Sequence, residues 1–400
     1  MSASPPQAPA QAGGALFLLL AAAAGAAAAN LYYAQPLIAL IAPDIGIGPE
    51  WSGLAVTLGQ IGYIIGLLFL VPLGDLMENR RLIVLVMVVA ALGLALAATA
   101  QTAFMFFAAA FLFGIGSVVA QVAVPFAAHL AAPEERGHKV GMVVSGLMAG
   151  ILLARPVASF IAHLAGWHAV FVAATVLMLG LAVALRLRLP PRRPEAAASY
   201  GALVGSLWPL LRDTPLLRRR AAYQATLFGA FTLFWTAVPL LLSAPPFGYT
   251  QDGIAAFALA GAASVLFSPL AGWAADRGWS RAATLGGFAF AVLGFLLAAA
   301  GAAMGSVVLL ALGAVVLDIG VATNLVIGQR ALFMLDAAIR GRLNALYIAG
   351  FFFGGATGSA FASLIYEQAG WTGVTLAGVA VLMLGTLHAL LRGRAATTAA

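Results

Sequence analysis

The stretch Leu189–Arg220 reads LPPRRPEAAASYGALVGSLWPLLRDTPLLRRR and cuts an otherwise apolar chain in two. Its prolines and arginines make it unfit to cross a bilayer, so it reads as a linker with room for a short surface helix. On both sides the chain breaks into apolar segments of roughly 20 residues, the length that spans a hydrocarbon core. Of 400 residues, 63% are hydrophobic and 8% charged, whereas about a quarter of a soluble protein is charged. The chain reads as an all-α polytopic membrane protein.

Spans are expected at 15–41, 51–72, 82–100, 103–129, 139–164 and 168–186, then at 221–243, 252–273, 282–300, 305–332, 343–366 and 372–391. Residues 15–188 and 221–391 form two six-helix bundles, joined by the linker 189–220. The tails are 1–14 and 392–400. The first of these, MSASPPQAPAQAGG, lacks the basic start of a cleavable signal peptide and reads as disordered.

Twelve spans put both termini on one side, and the charges say which. Arg80, Arg81, Arg136, Lys139, Arg277, Arg281, Arg340 and Arg342 lie in loops on the side of the termini, with six more arginines in the linker and Arg186 and Arg188 just ahead of it. The opposite loops carry only Asp44, Glu50, Asp252 and Glu367. The positive-inside rule makes the basic side, with both termini, cytoplasmic. The net charge of +7 is thus topological, and a nucleic-acid partner is excluded. The absence of cysteine rules out disulfides and thiolate metal sites. No histidine pair has metal-ligand spacing with supporting carboxylates, no nucleotide-binding loop is present, and no cofactor is expected. The sequence offers no nucleophile or acid pair at one surface, as a membrane enzyme would need.

The two halves repeat. RGHKVG from Arg136 matches RGRLNA from Arg340, and GWHAV from Gly166 matches GWTGV from Gly370, both at an offset of 204. LYYAQPL at Leu31–Leu37 matches FWTAVPL at Phe234–Leu240. Two similar bundles can rock about a site at mid-membrane depth.

The loop PLGDLMENRR after the second segment looks like the signature Gly-x-x-x-Asp-(Arg/Lys)-x-Gly-(Arg/Lys)-(Arg/Lys), and GWAADRGWSR like its weaker second copy. On these the chain resembles the major facilitator superfamily over essentially its full length. NLYYAQPL, GLLFLVPLGD and RLNALYIAGFFFGGATGS are similar to bacterial twelve-span drug:proton antiporter permeases, which include sugar and nucleoside exporters. The resemblance implies a monomeric transporter in the cell inner membrane that exports a small organic molecule against protons, with proton-coupled uptake as the alternative. There are departures. Val71, Leu76 and Glu78 replace Gly, a basic residue and Gly in the loop signature, and Ala110 stands where the family has a relay arginine. The antiporter pattern Gly-Pro-x-x-Gly-Gly falls on Ala154-Arg155-Pro156-Val157-Ala158-Ser159, with Arg155 in place of the proline.

Apart from Lys139, Arg186, Asp252 and Arg330 at span ends, Arg155 and Asp318 are the only basic and acidic residues expected inside spans. A charge at a helix centre costs about 2.5–3.5 kcal/mol on insertion scales, so each needs a reason to be there. At about 1.5 Å per residue, Arg155 lies roughly 15 Å and Asp318 roughly 20 Å below the outer surface. The family fold would set the two spans side by side. At the repeat offset Arg155 corresponds to Ser359 and Asp318 to Gly114, so each charge occurs in one half only, which favours function. Burial and a neighbouring guanidinium pull the proton affinity of a carboxyl in opposite directions, which makes Asp318 a candidate switchable coupling site with Arg155 as partner. In a second reading, Arg155 binds an anionic substrate bidentately.

By the resemblance, the first, fourth, seventh and tenth spans line the cavity. Their polar and aromatic residues are Asn30, Tyr32, Tyr33, Gln35, Ser117, Gln121, Tyr223, Gln224, Trp235, Thr236 and Asn324, joined by Gln60 and Tyr63 of the second span. Interhelical hydrogen bonding is the alternative role for each. Pro36 and Pro239 are expected to bend their spans in parallel. Asp75 and Asp276 are expected to latch the cytoplasmic side by facing helix N-termini near Arg340 and Arg136, while Arg80, Arg277 and Arg281 answer mainly to topology. Gly141, Gly146 and Gly150 and the run FFFGGATGSA should permit close helix contact.

Overall fold

The structure, a computed structural model, describes residues 14–194, 199–261, 273, 277, 279–336 and 339–397, the last six as backbone only. The expected first tail, most of the second half of segment 252–273 and Asp276 lie outside the described residues. Every regular element among the described residues is helical. Among the described residues, nine helices are long and apolar enough to cross a membrane, or ten if one bent pair counts as a span.

The bent pair is α1 (Gly14–Ala29) and α2 (Ala34–Asp44), which meet at 44°. Pro36 cannot donate a backbone hydrogen bond, and its ring collides with the carbonyl four residues back, that of Tyr32. The helix therefore breaks over residues 30–33 into tight turns, with the Leu31 and Tyr32 amides donating to Ala28 and Ala29 at 3.2 and 2.9 Å. Next come α3 (Leu54–Ile65), which runs on through a π turn at Gly66–Leu70 and a 3-10 turn at Val71–Asp75, and α4 (Asn79–Ala98). The pair α5 (Ala103–Gly116) and α6 (Val119–Leu130) precedes α7 (Arg136–Ala165) and α8 (Trp167–Arg188).

The linker carries two short helices, α9 (Tyr200–Gly205) and α10 (Leu207–Asp213), where one was expected. It is tied to both halves. The Tyr200 hydroxyl donates to the Phe69 carbonyl at 3.0 Å, and Arg342 donates to the Ser206 hydroxyl at 2.7 Å.

The second half comprises α11 (Pro215–Ser243), α12 (Gln251–Gly261), α13 (Ser280–Ala303), α14 (Val307–Phe333) and α15 (Arg340–Thr397). Helix α11 passes through Pro239 unbroken and ends four residues later, so the break ahead of Pro36 has no counterpart there. A proline in the last turn removes one hydrogen bond from a helix that is about to stop anyway. Helix α15 is interrupted at Gly370, whose φ is +60°, and the break between α7 and α8 falls at Gly166, with φ +80°. These two glycines are related by the 204-residue repeat, and a Cβ would strain both.

Helices 14–188 pack mainly among themselves, as do helices 215–397. Contacts between the two sets run along α3–α15, α7–α12 and α2–α11. The α2 half of the broken helix, not α1, packs substantially on α11, so this seam is tightest toward the end bearing the acidic loops. Small residues set the spacing of the helices. A Cβ on Gly146 would fall on the backbone of Ala21 in α1, and one on Gly150 on the backbone of Gly25, whereas Gly141 faces open space. Gly146→Leu is expected to destabilise the protein by about 1–3 kcal/mol and lower its melting temperature in detergent. Gly141→Leu should leave that temperature unchanged. Equal melting of the two variants would remove Gly146 from the packing argument.

Candidate functional site

The break ahead of Pro36 brings Tyr32 and Gln35 to one spot, and Arg155 reaches it from α7. The Arg155 side chain is 7% exposed, and its Nε donates to Gln35 Oε1 at 2.8 Å. Its guanidinium carbon lies 4.5 Å from the ring centre of Trp235, 4.9 Å from Tyr32 and 5.1 Å from Phe231. Rings at this range attract a cation, by up to about 2 kcal/mol each when water is excluded. Three of them offset much of the cost of holding a charge within the membrane. Tyr32 and Trp235 are repeat-related, so the two halves present equivalent aromatic residues to one cation.

Asp318, 8% exposed on α14, joins the same cluster indirectly. Trp235 Nε1 donates to its Oδ1 at 3.0 Å. Among the described residues Arg155 and Asp318 form no direct ion pair. The indole of Trp235 stands between them, its face toward the guanidinium and its N–H toward the carboxylate. A cavity of about 10 Å³ beside this cluster is lined by Arg155, Trp235, Pro36, Val238, Ile254 and Phe257 among others. That is room for about one water molecule, so no organic ligand fits beside the cluster in this state.

The other cavity candidates divide. Asn30 donates to the Ser117 hydroxyl at 3.4 Å, Gln121 to the Tyr63 hydroxyl at 3.3 Å, Gln224 to the Val321 carbonyl at 3.3 Å and Asn324 to the Thr284 carbonyl at 3.1 Å. These four therefore join helices to one another. Tyr223 stacks edge-on against Phe288 and His388. Tyr33 and Gln60 are buried, with Gln60 Oε1 lacking a partner. Of the predicted cavity residues, Tyr32, Gln35 and Trp235 are the ones that meet Arg155.

Of the expected latch, Asp276 lies outside the described residues. Asp75, Arg136 and Arg340 are exposed and make no ion pair among the described residues. The buried Glu78 instead takes Arg80 at 2.9 Å and Arg81 at 3.0 Å. The 3-10 turn ending at Asp75 leaves that carboxylate facing out. Arg277 stacks on the Trp273 ring at 3.8 Å, and Arg281 is exposed.

Sequence reasoning missed a polar seam between α3 and α15. Ser52 donates to the Ser363 hydroxyl at 2.8 Å, and the Thr57 and Ser359 hydroxyls meet at 2.9 Å. The spacing of Ser359 and Ser363, four apart on one helical face, was the available signal. Also missed were Phe231 and the role of Gln35, which only the bend at Pro36 turns toward Arg155.

A profile of the Major Facilitator Superfamily matches residues 18–326. The chain belongs to this superfamily. It is a multi-pass membrane transporter and not an enzyme. The uncharacterized transporter YgaY of Escherichia coli O157:H7 is 41% identical over 356 residues, covering 89% of this chain and 90% of that one. SCO4007 of Streptomyces coelicolor, described as a probable transporter, is 33% identical over 357 residues, 89% of this chain and 82% of its own. Among solved structures, a mutant of the nucleoside transporter NupG superposes with a TM-score of 0.76 at 15% identity, covering 94% of this chain and 99% of that one. A D-xylose–proton symporter gives 0.70 at 14% identity, covering 92% and 96%. At such identities these two speak for the superfamily fold alone.

Proposed function

We propose that the protein is a twelve-span, monomeric secondary transporter of the bacterial inner membrane that exports a small organic molecule in exchange for protons. Its bundles are 15–188 and 221–391, and both termini are cytoplasmic, as the segregation of basic and acidic loops supports. One observation carries the coupling reading. A buried carboxylate and a buried guanidinium from different halves are joined through an indole. In alternating access the halves separate on one side at a time, so the Arg155–Trp235 contact must loosen when the site opens. Proton occupancy of Asp318 then sets whether the cluster holds together, and protonation is linked to opening. Arg155 acts as the partner charge, through Trp235 and not by direct contact.

The test uses everted membrane vesicles with an imposed proton gradient, challenged with a panel of compounds. Export predicts that some compound discharges the gradient. Accumulation in whole cells with no discharge in vesicles would instead indicate proton-coupled uptake. Trp235→Phe keeps an aromatic face on Arg155 but removes the donor to Asp318. It is expected to lower the proton-linked rate about tenfold, the effect of losing roughly 1.4 kcal/mol. An unchanged rate would reduce Trp235 to a packing role.

A further inference from the structure

A buried guanidinium is satisfied in two ways, by aromatic rings on its faces and by oxygen acceptors along its edge. At Arg155 the rings are present and the edge is incomplete. Nε is taken by Gln35, but Nη2 is buried with no hydrogen-bond partner. The acid that could fill this place is turned away, with Asp318 Oδ1 bound to the Trp235 N–H. A second donor beside it is also unused. Because Gln35 Oε1 accepts from Arg155, the amide orientation is fixed, and its Nε2, fully buried, has no partner either. Two adjacent residues thus hold two idle N–H donors around a positive charge. An unmet buried donor costs about 1–3 kcal/mol, more when charged.

The cavity beside Arg155 is apolar, formed by Pro36, Val238, Ile254 and Phe257 among others. Val238 is the repeat counterpart of Gln35, so the polar contact present on one side of the pseudo-symmetric site is replaced by an aliphatic wall on the other. We infer that this transport site takes a small organic anion with an apolar body, its carboxylate held by Arg155 Nη2 and Gln35 Nε2 and its hydrocarbon lodged against Val238, Ile254 and Phe257. This names a substrate class for the transporter proposed above and rests on that reading of the site. This state has room only for water there, so the ligand enters when the halves part.

Equilibrium binding of radiolabelled benzoate to the purified full-length chain in lipid nanodiscs at neutral pH tests the assignment, with benzamide and benzylamine as neutral and cationic isosteres. Benzoate is expected to bind at least tenfold more tightly than benzamide, and benzylamine not to displace it. Arg155→Gln should lose at least tenfold in benzoate affinity, and Gln35→Leu, which removes no charge, several-fold. Equal binding of benzamide, displacement by benzylamine, or unaltered benzoate affinity in a folded Gln35→Leu protein would each overturn the proposal. So would absence of binding by benzoate, phenylacetate and hexanoate alike. The outcome is separable from that of the coupling assay. Discharge of a proton gradient by a neutral or cationic compound alone would leave proton exchange standing and remove the anion. Benzoate binding at Arg155 with no discharge by any compound would do the reverse.

Discussion

Asp318→Asn is expected to abolish discharge of a proton gradient by a transported compound, a loss of at least 100-fold, while exchange of that compound across the membrane continues. The reason is geometric. Asparagine keeps the size of the side chain and an oxygen to accept from Trp235 Nε1, now 3.0 Å from Asp318 Oδ1, so the cluster around Arg155 can still assemble. It cannot take up or release a proton. Any conformational step that depends on charging this group then runs in one protonation-independent mode, and a ligand gradient can still drive exchange. Measured in everted vesicles, the variant should show no compound-induced proton movement but normal counterflow of labelled compound into preloaded vesicles. If the gradient is still discharged at the wild-type rate, coupling lies elsewhere and Asp318 is only a hydrogen-bond acceptor for Trp235. Loss of counterflow together with coupling would make Asp318 part of the ligand site. The same distinction can be made with Asp318→Glu, which retains a titratable group displaced by one methylene.

Much of this site was legible in sequence because a buried charge is conspicuous in a chain with so few. The repeat added more than expected. It pairs Tyr32 with Trp235, and both prove to lie on the Arg155 guanidinium. It also pairs Arg155 with Ser359, and Ser359 sits on the α3–α15 seam between the halves, where it meets Thr57. What could not be read was contact at the level of single atoms. Sequence put Arg155 and Asp318 within reach of one another, yet could not show that the Trp235 indole would stand between them. Gln35 looked like one polar residue among many until the helix broke ahead of Pro36. The signature loop shows the same limit. Its aspartate is present at Asp75, but Glu78, at a position where the pattern has glycine, takes Arg80 and Arg81 and leaves Asp75 exposed. A motif specifies residue types, and the partner chosen depends on which acid the local turn buries.

The second large effect is conformational and lies away from the Arg155 cluster. A Cβ on Gly53 would fall on the carbonyl oxygen of Ser359, with the Ser363 hydroxyl also within contact range. This is the same seam in which Ser52 reaches Ser363 and Thr57 reaches Ser359. Backbone cannot yield there cheaply, since α3 and α15 are held together by direct hydroxyl contacts on both sides of the glycine. Gly53→Leu therefore opposes closure of the acidic-loop end while leaving the separated state unobstructed, and it should shift the population toward a form open on that side. A tenfold change in the open-to-closed ratio needs only about 1.4 kcal/mol, less than overpacking commonly costs. The chain has no cysteine, so spin labels can be placed without first removing native thiols. Leu164→Cys at the end of α7 and Met304→Cys between α13 and α14 are both exposed and belong to different halves. Pulsed electron–electron distance measurements on this pair should show a longer component that becomes dominant when Gly53→Leu is added. Since the aromatic cluster spans the same two halves, opening should also separate Arg155 from Trp235, so organic anions should exchange faster in this variant than in the parent. A distance distribution unchanged by Gly53→Leu would mean that the α3–α15 seam is not what holds the acidic-loop side shut.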